Sequence, residues 1–157
     1  MAFLVRENSA NETVYRFTRE IPSKMERVFR RGMIDYMAAL KKEANREILH
    51  GRKTGRAGYI RLPGRKRRKW HVSSAPFETH ANRTGKLRRS LSWKVHSYSH
   101  AEFGYGVATT EADSAPRYAG FVEYGTKRMK PRPSLHNAVE KTDGERFFHA
   151  AFDAEFT

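Results

Sequence analysis

The most regular hydrophobic pattern of the chain lies between Ser23 and Leu49, where apolar residues recur at steps of three and four positions. This spacing places them on one face of an α-helix. Ser23 and Glu26 follow Pro22 in the pattern of a capping box, and Gly51 is a typical stop, so we predict one helix of about 40 Å. Its apolar face consists of Met25, Phe29, Met33, Tyr36, Met37, Leu40, Ala44 and Ile48.

Residues 1–20, which precede this helix, contain two short β-prone runs at residues 3–6 and 13–18. The turn-like residues between the two runs favour a hairpin. The alternative is an N-terminal arm that becomes ordered only on a neighbouring subunit.

A basic segment follows the long helix, at residues 51–72, and it is predicted to form a β-ribbon or an extended loop. Its two strand-like runs are Tyr59–Leu62 and Trp70–Val72, and Pro63 and Gly64 begin the tip between them. The aromatic residues beside the tip would either pack across the ribbon or stack on nucleic-acid bases.

Large and small side chains alternate over residues 91–95 and 103–107, which predicts a second antiparallel pair of strands. Gly104 and Gly106 leave one face of the last strand without bulky side chains. A close approach by another element needs such a face, so we expect the long helix to pack there.

The stretch from Tyr118 to Leu135 combines an aromatic segment, a basic turn and two prolines. Pro131 and Pro133 fix their own φ angles and keep the preceding residues extended. Ser134 can then cap a new helix. The stretch therefore predicts a short helix, a tight turn, a rigid linker and the start of another helix.

The last part of the chain is predicted to be helical over Ser134–Lys141 and again after residues 142–144. The two apolar sets are out of phase, so we expect a kinked helix or two helices. Four phenylalanines at this end would contact another subunit or be buried within the monomer: Phe147, Phe148, Phe152 and Phe156.

These elements together predict an α+β fold in a single domain of residues 1–157. A long N-terminal helix would pack on a small, mainly antiparallel sheet, closed by a C-terminal helix or a kinked helix pair. The length of 157 residues, with 38% hydrophobic residues, is sufficient for one core.

The charge of the chain is concentrated in one segment. Between Arg52 and Arg89 there are thirteen basic residues and one acidic residue, so this segment holds +12 of the net charge of +14. Such a segment implies an anionic partner. The cations at the tip are Arg65, Lys66, Arg67, Arg68 and Lys69. They would be solvated without a ligand, contact DNA phosphates without sequence preference, or contact an acidic protein surface.

Candidate catalytic chemistry is absent from the sequence. There is no cysteine, no glycine-rich phosphate loop and no nucleophile elbow. Glu123 and Thr126 have no histidine or second carboxylate near them in the sequence. His96 and His100 straddle a predicted turn and not a helix face, which argues against a metal site. We therefore expect no enzyme activity, no metal and no cofactor, and no apolar run is long enough to suggest a membrane partner.

Two strings of residues provide a more specific signal. The first is Ser73-Ser74-Ala75-Pro76 followed by Thr84-Gly85-Lys86-Leu87-Arg88-Arg89-Ser90-Leu91, and the second is YAGFVEYGT followed by KPRPSLHNAVE. In this order and spacing, after a long helix, they resemble the neck proteins of long-tailed bacteriophages, a tail-component family encoded between the head-closure and tail-completion proteins. The resemblance covers Ser23 to Glu140, without the basic segment. Its motif residues are Thr84, Gly85, Leu87, Ser90, Tyr118, Ala119, Glu123, Tyr124, Gly125, Thr126, Pro131 and Pro133.

The resemblance implies a structural virion protein of the head–tail junction, assembled in the host cytoplasm. Its partners would be identical copies in a ring, with six copies favoured over twelve, together with head-closure or adaptor proteins and tail-completion or tail-tube proteins. The basic tip would then face packaged DNA or an acidic neighbour. The alternative function, which composition alone favours, is a basic nucleic-acid-binding protein outside any virion, such as an RNA-binding or ribosome-associated factor.

Overall fold

The structure, a computed structural model, describes residues 9–107 and 115–157, with side chains from residue 21 onward. Its elements, in chain order, are α1 (Ser9–His50), β1 (Ala57–Ile60), β2 (Lys69–Val72), α2 (Lys86–Arg89), β3 (Leu91–Val95), β4 (Ala101–Tyr105), α3 (Ala119–Tyr124), α4 (Ser134–Lys141) and α5 (Glu145–Phe156). The predicted α+β class is confirmed, with two separate two-stranded sheets and with α4 and α5 packed on the long first helix.

Helix α1 begins well before the predicted start at Ser23 and contains Pro22 in its interior. The capping-box pattern therefore does not mark the start of the helix. The predicted strand at residues 13–18 is also wrong, because these residues are helical. A strand needs a partner for its backbone groups, whereas a helix satisfies them locally. The other predicted run, at residues 3–6, lies outside the described residues.

The core forms where the second half of α1 meets the β3–β4 sheet and α4. Ala44, Ile48, Leu91 and Ala138 are almost fully buried, and the half-buried residues Phe103, Tyr105 and Leu135 pack against them. The predicted apolar face of α1 thus supplies Met37, Leu40, Ala44 and Ile48 to the interior. Burial of these aliphatic side chains is the main favourable contribution to folding.

The β3–β4 sheet packs on α1 through its large side chains. Leu91 pairs with Tyr105 and Trp93 with Phe103 in the antiparallel register. The expectation that α1 packs on the glycine face is wrong, since Leu91 and Tyr105 are the residues that meet α1, and within the described part of the chain a Cβ at Gly104 would meet only Val107. Burying the aromatic face removes more apolar surface from water than burying the glycine face would.

Helices α4 and α5 are two separate helices and not one kinked helix. The break between them lies at residues 142–144. Phe148 lies against α1, so close that a Cβ at Gly32 would be 2.7 Å from its Cδ1. Phe147 lies 6.1 Å from Tyr36 between ring centroids. These two phenylalanines therefore pack within the monomer.

The other two C-terminal phenylalanines are left on the surface. Phe152 and Phe156 stack on each other with centroids 4.6 Å apart, and both are exposed. An ion pair of 2.6 Å between Arg27 Nη2 and Glu155 Oε1 holds the same end of α5 on α1. Within the described residues, no helix has both the length and the apolar character needed to cross a bilayer.

Candidate assembly site

The two strings that carry the family resemblance lie against each other in the folded chain. Residues 74–80 run beside residues 131–137, joined by a hydrogen bond of 2.9 Å from the Phe77 amide to the Pro131 carbonyl. Arg132 Nη2 donates to the Ser74 carbonyl at 3.3 Å. We call this contact between residues 74–80 and 131–137 the motif junction.

Glu123 forms three hydrogen bonds beside the motif junction. Its carboxylate accepts three hydrogen bonds from the first amides of α4, those of Ser134 (3.0 Å), Leu135 (2.8 Å) and His136 (3.2 Å). These amides have no partner inside their own helix, and a helix N-terminus favours negative charge. The residue that caps α4 is therefore Glu123 and not, as predicted, Ser134. Burial raises the pKa of Glu123, although the hydrogen bonds from the three backbone amides lower it.

The turn after α3 requires the residues of the Glu-Tyr-Gly-Thr string. Gly125 has a φ of 79°, and a Cβ at this position would lie 2.7 Å from the Met129 carbonyl oxygen. Any other residue would meet both backbone strain and a steric clash. Thr126 Oγ1 accepts hydrogen bonds from the amides of Arg128 (3.2 Å) and Met129 (3.1 Å) and so closes the turn.

A buried pair of polar side chains completes the motif junction. His80 Nδ1 lies 2.6 Å from Ser134 Oγ, and the His80 ring packs edge-on against Tyr105 at 6.2 Å between centroids. Burial lowers the pKa of His80 to about 4, so the imidazole is neutral at pH 7. Because Ser134 is fully buried and Glu123 binds the α4 backbone, this trio holds segments together and presents no accessible nucleophile.

The first string has mostly structural roles. Leu87 and Ser90 are buried, and Ser90 donates through its hydroxyl to the Leu87 carbonyl at 2.8 Å. The residue that precedes α2 is Gly85, with a φ of 77°. Thr84 is exposed, and its hydroxyl accepts a bond of 3.4 Å from the Lys86 amide.

Helix α3 carries the aromatic side chains of the second string on its outer surface. Tyr118, Phe121 and Tyr124 are 44%, 59% and 83% exposed, while Ala119 is buried. Their spacing of three residues places them along one face. Three large aromatic side chains on one short helix form an apolar surface of the kind that binds another protein.

Phe77 is an exposed aromatic residue within the motif junction. It is the single described non-glycine residue with a positive φ, at 66°. This conformation is strained for a bulky residue and is found where the surroundings impose it. The next residue, Glu78, imposes it here by accepting bonds from Thr54 Oγ1 (2.6 Å), the Thr54 amide (2.9 Å) and the Ala75 amide (2.8 Å).

The predicted β-ribbon of residues 51–72 exists, with β1 and β2 in antiparallel register. Tyr59 pairs with Trp70, and their rings meet edge to face at 5.0 Å while both stay exposed. The turn at Pro63 and Gly64 is closed by a 3.1 Å bond from the Arg65 amide to the Leu62 carbonyl. Every cation of the tip is exposed, and none forms an ion pair with another described residue; these are Arg65, Lys66, Arg67, Arg68 and Lys69.

An open groove of about 920 Å³ separates the ribbon from the motif junction. Arg56, Arg83 and Arg132 contribute to its walls, together with the aromatic ring of Tyr59. His71 also lines the groove, and burial together with the nearby Arg83 and Lys69 lowers its pKa. The groove therefore suits an occupant that is anionic and partly apolar.

The histidines that straddle the β3–β4 turn are closer together than the sequence suggested. The rings of His96 and His100 lie 5.0 Å apart between centroids, and both face the carboxylate of Glu102. Among the described residues, this is the group of three side chains with metal-ligand spacing.

Sequence reasoning identified the motif residues but not their pairings. His80 and Ser134 are 54 positions apart, and neither belongs to a pattern that points to the other. The sequence shows no histidine or second carboxylate near Glu123, and the partners that the structure gives it are backbone amides, which leave no signal in the side-chain sequence.

Glu123→Gln is expected to lower the free energy of unfolding by about 1–3 kcal/mol, because an amide group has only one acceptor oxygen and its NH₂ would face an α4 amide. Urea denaturation at pH 7 measures this loss. The matched control is Glu140→Gln, since this carboxylate is exposed on α4, and its effect should stay within about 0.5 kcal/mol. Equal effects of the two substitutions would contradict the capping role.

His80 should make folding sensitive to acid. The unfolded chain binds this proton near pH 6.5 and the folded chain only near pH 4, so the stability contribution is present above pH 6.5 and is lost as the pH falls towards 4. When the pH is lowered from 8 to 5, the free energy of unfolding of His80→Gln should fall by about 2 kcal/mol less than that of the wild type. Urea denaturation at the two pH values measures both changes.

The same substitution at the exposed His149 is the control, and it should keep the pH dependence of the wild type. If His80→Gln and the wild type lost stability in parallel between these two pH values, His80 would not be the buried neutral group described above.

No family model matches the chain, and neither a curated protein nor a solved structure matches it.

Proposed function

We propose that this protein is a structural component of a bacteriophage neck, which assembles into a ring between head-closure and tail-completion proteins. The observation that carries the proposal is the exposed aromatic face of α3, formed by Tyr118, Phe121 and Tyr124. In this proposal the face docks on a neighbouring subunit, and the protein acts by surface complementarity without catalysis.

The support comes from the two different roles of the residues in the second string: some stabilise the fold and others are exposed. The Glu123 side chain caps α4, and the Gly125 backbone forms the tight turn after α3, so both residues stabilise the fold. The aromatic residues between and before them have no comparable role in the monomer. A string that combines a rigid internal frame with an exposed apolar surface is suited to binding, because little conformational entropy is lost when a preformed surface docks.

The particular assignment to the neck rests on the resemblance of the two strings. Their contact at the motif junction is consistent with a shared structural unit, since Arg132 binds Ser74 and Pro131 binds Phe77. The ring would have six copies, or alternatively twelve. Phe152 and Phe156, exposed at the end of α5, offer a second apolar surface, which a head-to-tail ring requires in addition to the first.

The second candidate function is nucleic-acid binding outside any virion. The β-ribbon favours it, because five adjacent cations at its tip are exposed without acidic partners among the described residues. The exposed rings of Tyr59 and Trp70 beside the tip are able to stack on bases. A stable monomer with tight affinity for RNA would support this candidate over the ring.

The docking role of α3 predicts that Phe121→Ala/Tyr124→Ala blocks joining of the particle. Virions assembled with this variant should give separate heads and tails, or leak DNA, because the truncated face buries too little apolar surface to hold the neighbour. Electron microscopy and an infectivity assay measure the outcome.

Tyr98→Ala is the matched control, because Tyr98 is also a large aromatic residue, 48% exposed, but lies on the β3–β4 turn. This variant should assemble normally, and circular dichroism should show that all variants are folded. Normal infectious particles with the α3 variant would refute the docking surface, and normal particles without the protein would refute the neck assignment.

If the ribbon contacts DNA, replacing the five tip cations by serine should flatten the salt dependence of duplex DNA binding. Each phosphate contact that is lost should reduce the slope of log K against log[salt] by roughly 0.9, because fewer counterions are released. Fluorescence anisotropy at several salt concentrations measures the slope. The variant carries Ser at Arg65, Lys66, Arg67, Arg68 and Lys69.

The control replaces the three exposed cations of the turn after α3, Lys127, Arg128 and Lys130, by serine. It removes positive charge away from the ribbon and should leave most of the slope intact. An unchanged slope in the ribbon variant would exclude DNA contact by the tip and leave either contact with an acidic protein surface or solvation without a ligand.

A further inference from the structure

The turn between β3 and β4 brings three metal-ligand side chains together at the surface. His96 Nε2 lies 3.3 Å from Glu102 Oε2, and His100 Nε2 lies 3.7 Å from Glu102 Oε1. The ligand atoms of all three residues lie within 4.8 Å of one another. Among the described residues, no other basic side chain lies within ion-pair distance of this carboxylate, so the three side chains form a group of their own.

The backbone holds this arrangement in place. The amides of His96 (2.9 Å) and Ser97 (3.1 Å) both donate to the His100 carbonyl, which fixes the two ends of the turn relative to each other. Glu102 belongs to β4 and pairs with Lys94 of β3 in the ladder. His100 and Glu102 are two positions apart and therefore project from the same side of the chain.

The spacing of the ligand atoms is close to what a metal ion requires. In a tetrahedral zinc site the ligands lie about 2.0–2.2 Å from the ion, which places neighbouring ligand atoms roughly 3.4 Å apart. The two histidine–carboxylate distances are within a few tenths of an ångström of this value, and they end on the two different oxygens of Glu102, so the exposed carboxylate has to turn for one oxygen to serve both histidines. The ligand atoms lie within 4.8 Å of one another, and all three side chains are exposed, so metal binding would require the imidazoles to rotate towards a common point.

We propose that His96, His100 and Glu102 form a surface binding site for a divalent transition-metal ion with the ligand preferences of Zn²⁺. Two imidazole nitrogens and one carboxylate are a ligand set that suits Zn²⁺ better than Mg²⁺ or Ca²⁺, which prefer oxygen. Three protein ligands leave one position open to water or to a residue of another molecule.

The site would tie the two strands of the sheet together at their turn. A metal ion that binds the folded chain and not the unfolded chain raises the stability of the folded state by mass action. Because β3 contributes Leu91 to the core, the added stability should appear in global unfolding as well as at the turn.

The test uses the full chain without an affinity tag, stripped of metal by a chelator, and titrated with Zn²⁺ by calorimetry. We expect one ion per chain and a rise in the thermal midpoint. His96→Ala and His100→Ala should each weaken the binding by about tenfold or more, since loss of a direct ligand should cost at least as much as loss of a supporting residue. Co²⁺ in place of Zn²⁺ should give the visible absorption of a tetrahedral site.

His136→Ala is the matched control, because His136 Nε2 also faces a carboxylate, Glu140, at 3.1 Å on the surface of α4, but without a second histidine. This variant should bind Zn²⁺ as the wild type does. The absence of saturable binding, or equal affinity in His96→Ala, His100→Ala and the wild type, would overturn the proposal. The three imidazoles are exposed, so circular dichroism should show the same fold in all variants.

Discussion

The capping of α4 by Glu123 is the interaction on which the arrangement of the motifs depends. Three amides at the start of α4 need an acceptor, and the buried carboxylate on α3 supplies both of its oxygens to them. Since α4 packs on α1 through Ala138, this cap fixes α3 relative to the core of the protein. Without it, a helix of six residues would have little to hold its orientation.

A rigid α3 is what gives its exposed face a defined shape. The backbone of Gly125 turns the chain sharply at the end of the helix, and the Arg132 amide returns to the Val122 carbonyl at 2.8 Å. The helix is therefore held at its side and at its end while Phe121 and Tyr124 point away from the protein. The residues that stabilise this region and the residues that are available for docking alternate within one string.

Much of the positive charge of the molecule lies on the β-ribbon and along the groove beside it. The β-ribbon carries cations whose mutual repulsion keeps them in solvent, and the groove between the ribbon and the motif junction adds Arg56, Arg83 and Arg132. A chain arranged in this way has an apolar surface on α3 and a cationic surface on the ribbon. Each suits a different kind of partner, which is consistent with a component that joins unlike neighbours.

The sequence by itself determined the α+β class, the long helix and the β3–β4 pair, because these follow from periodicity and turn residues that act over a few positions. It left open whether residues 51–72 form a ribbon or a loop, and whether the C-terminal helix is kinked or broken; the structure shows a ribbon and a break. Only the tertiary structure decided which face of β4 meets α1, that Glu123 caps α4, and that His80 binds Ser134. It also decided where α1 begins, because the helix starts at Ser9 and continues through Pro22 instead of starting after it. These outcomes depend on which distant groups the fold brings within hydrogen-bond distance, and local patterns contain no record of that.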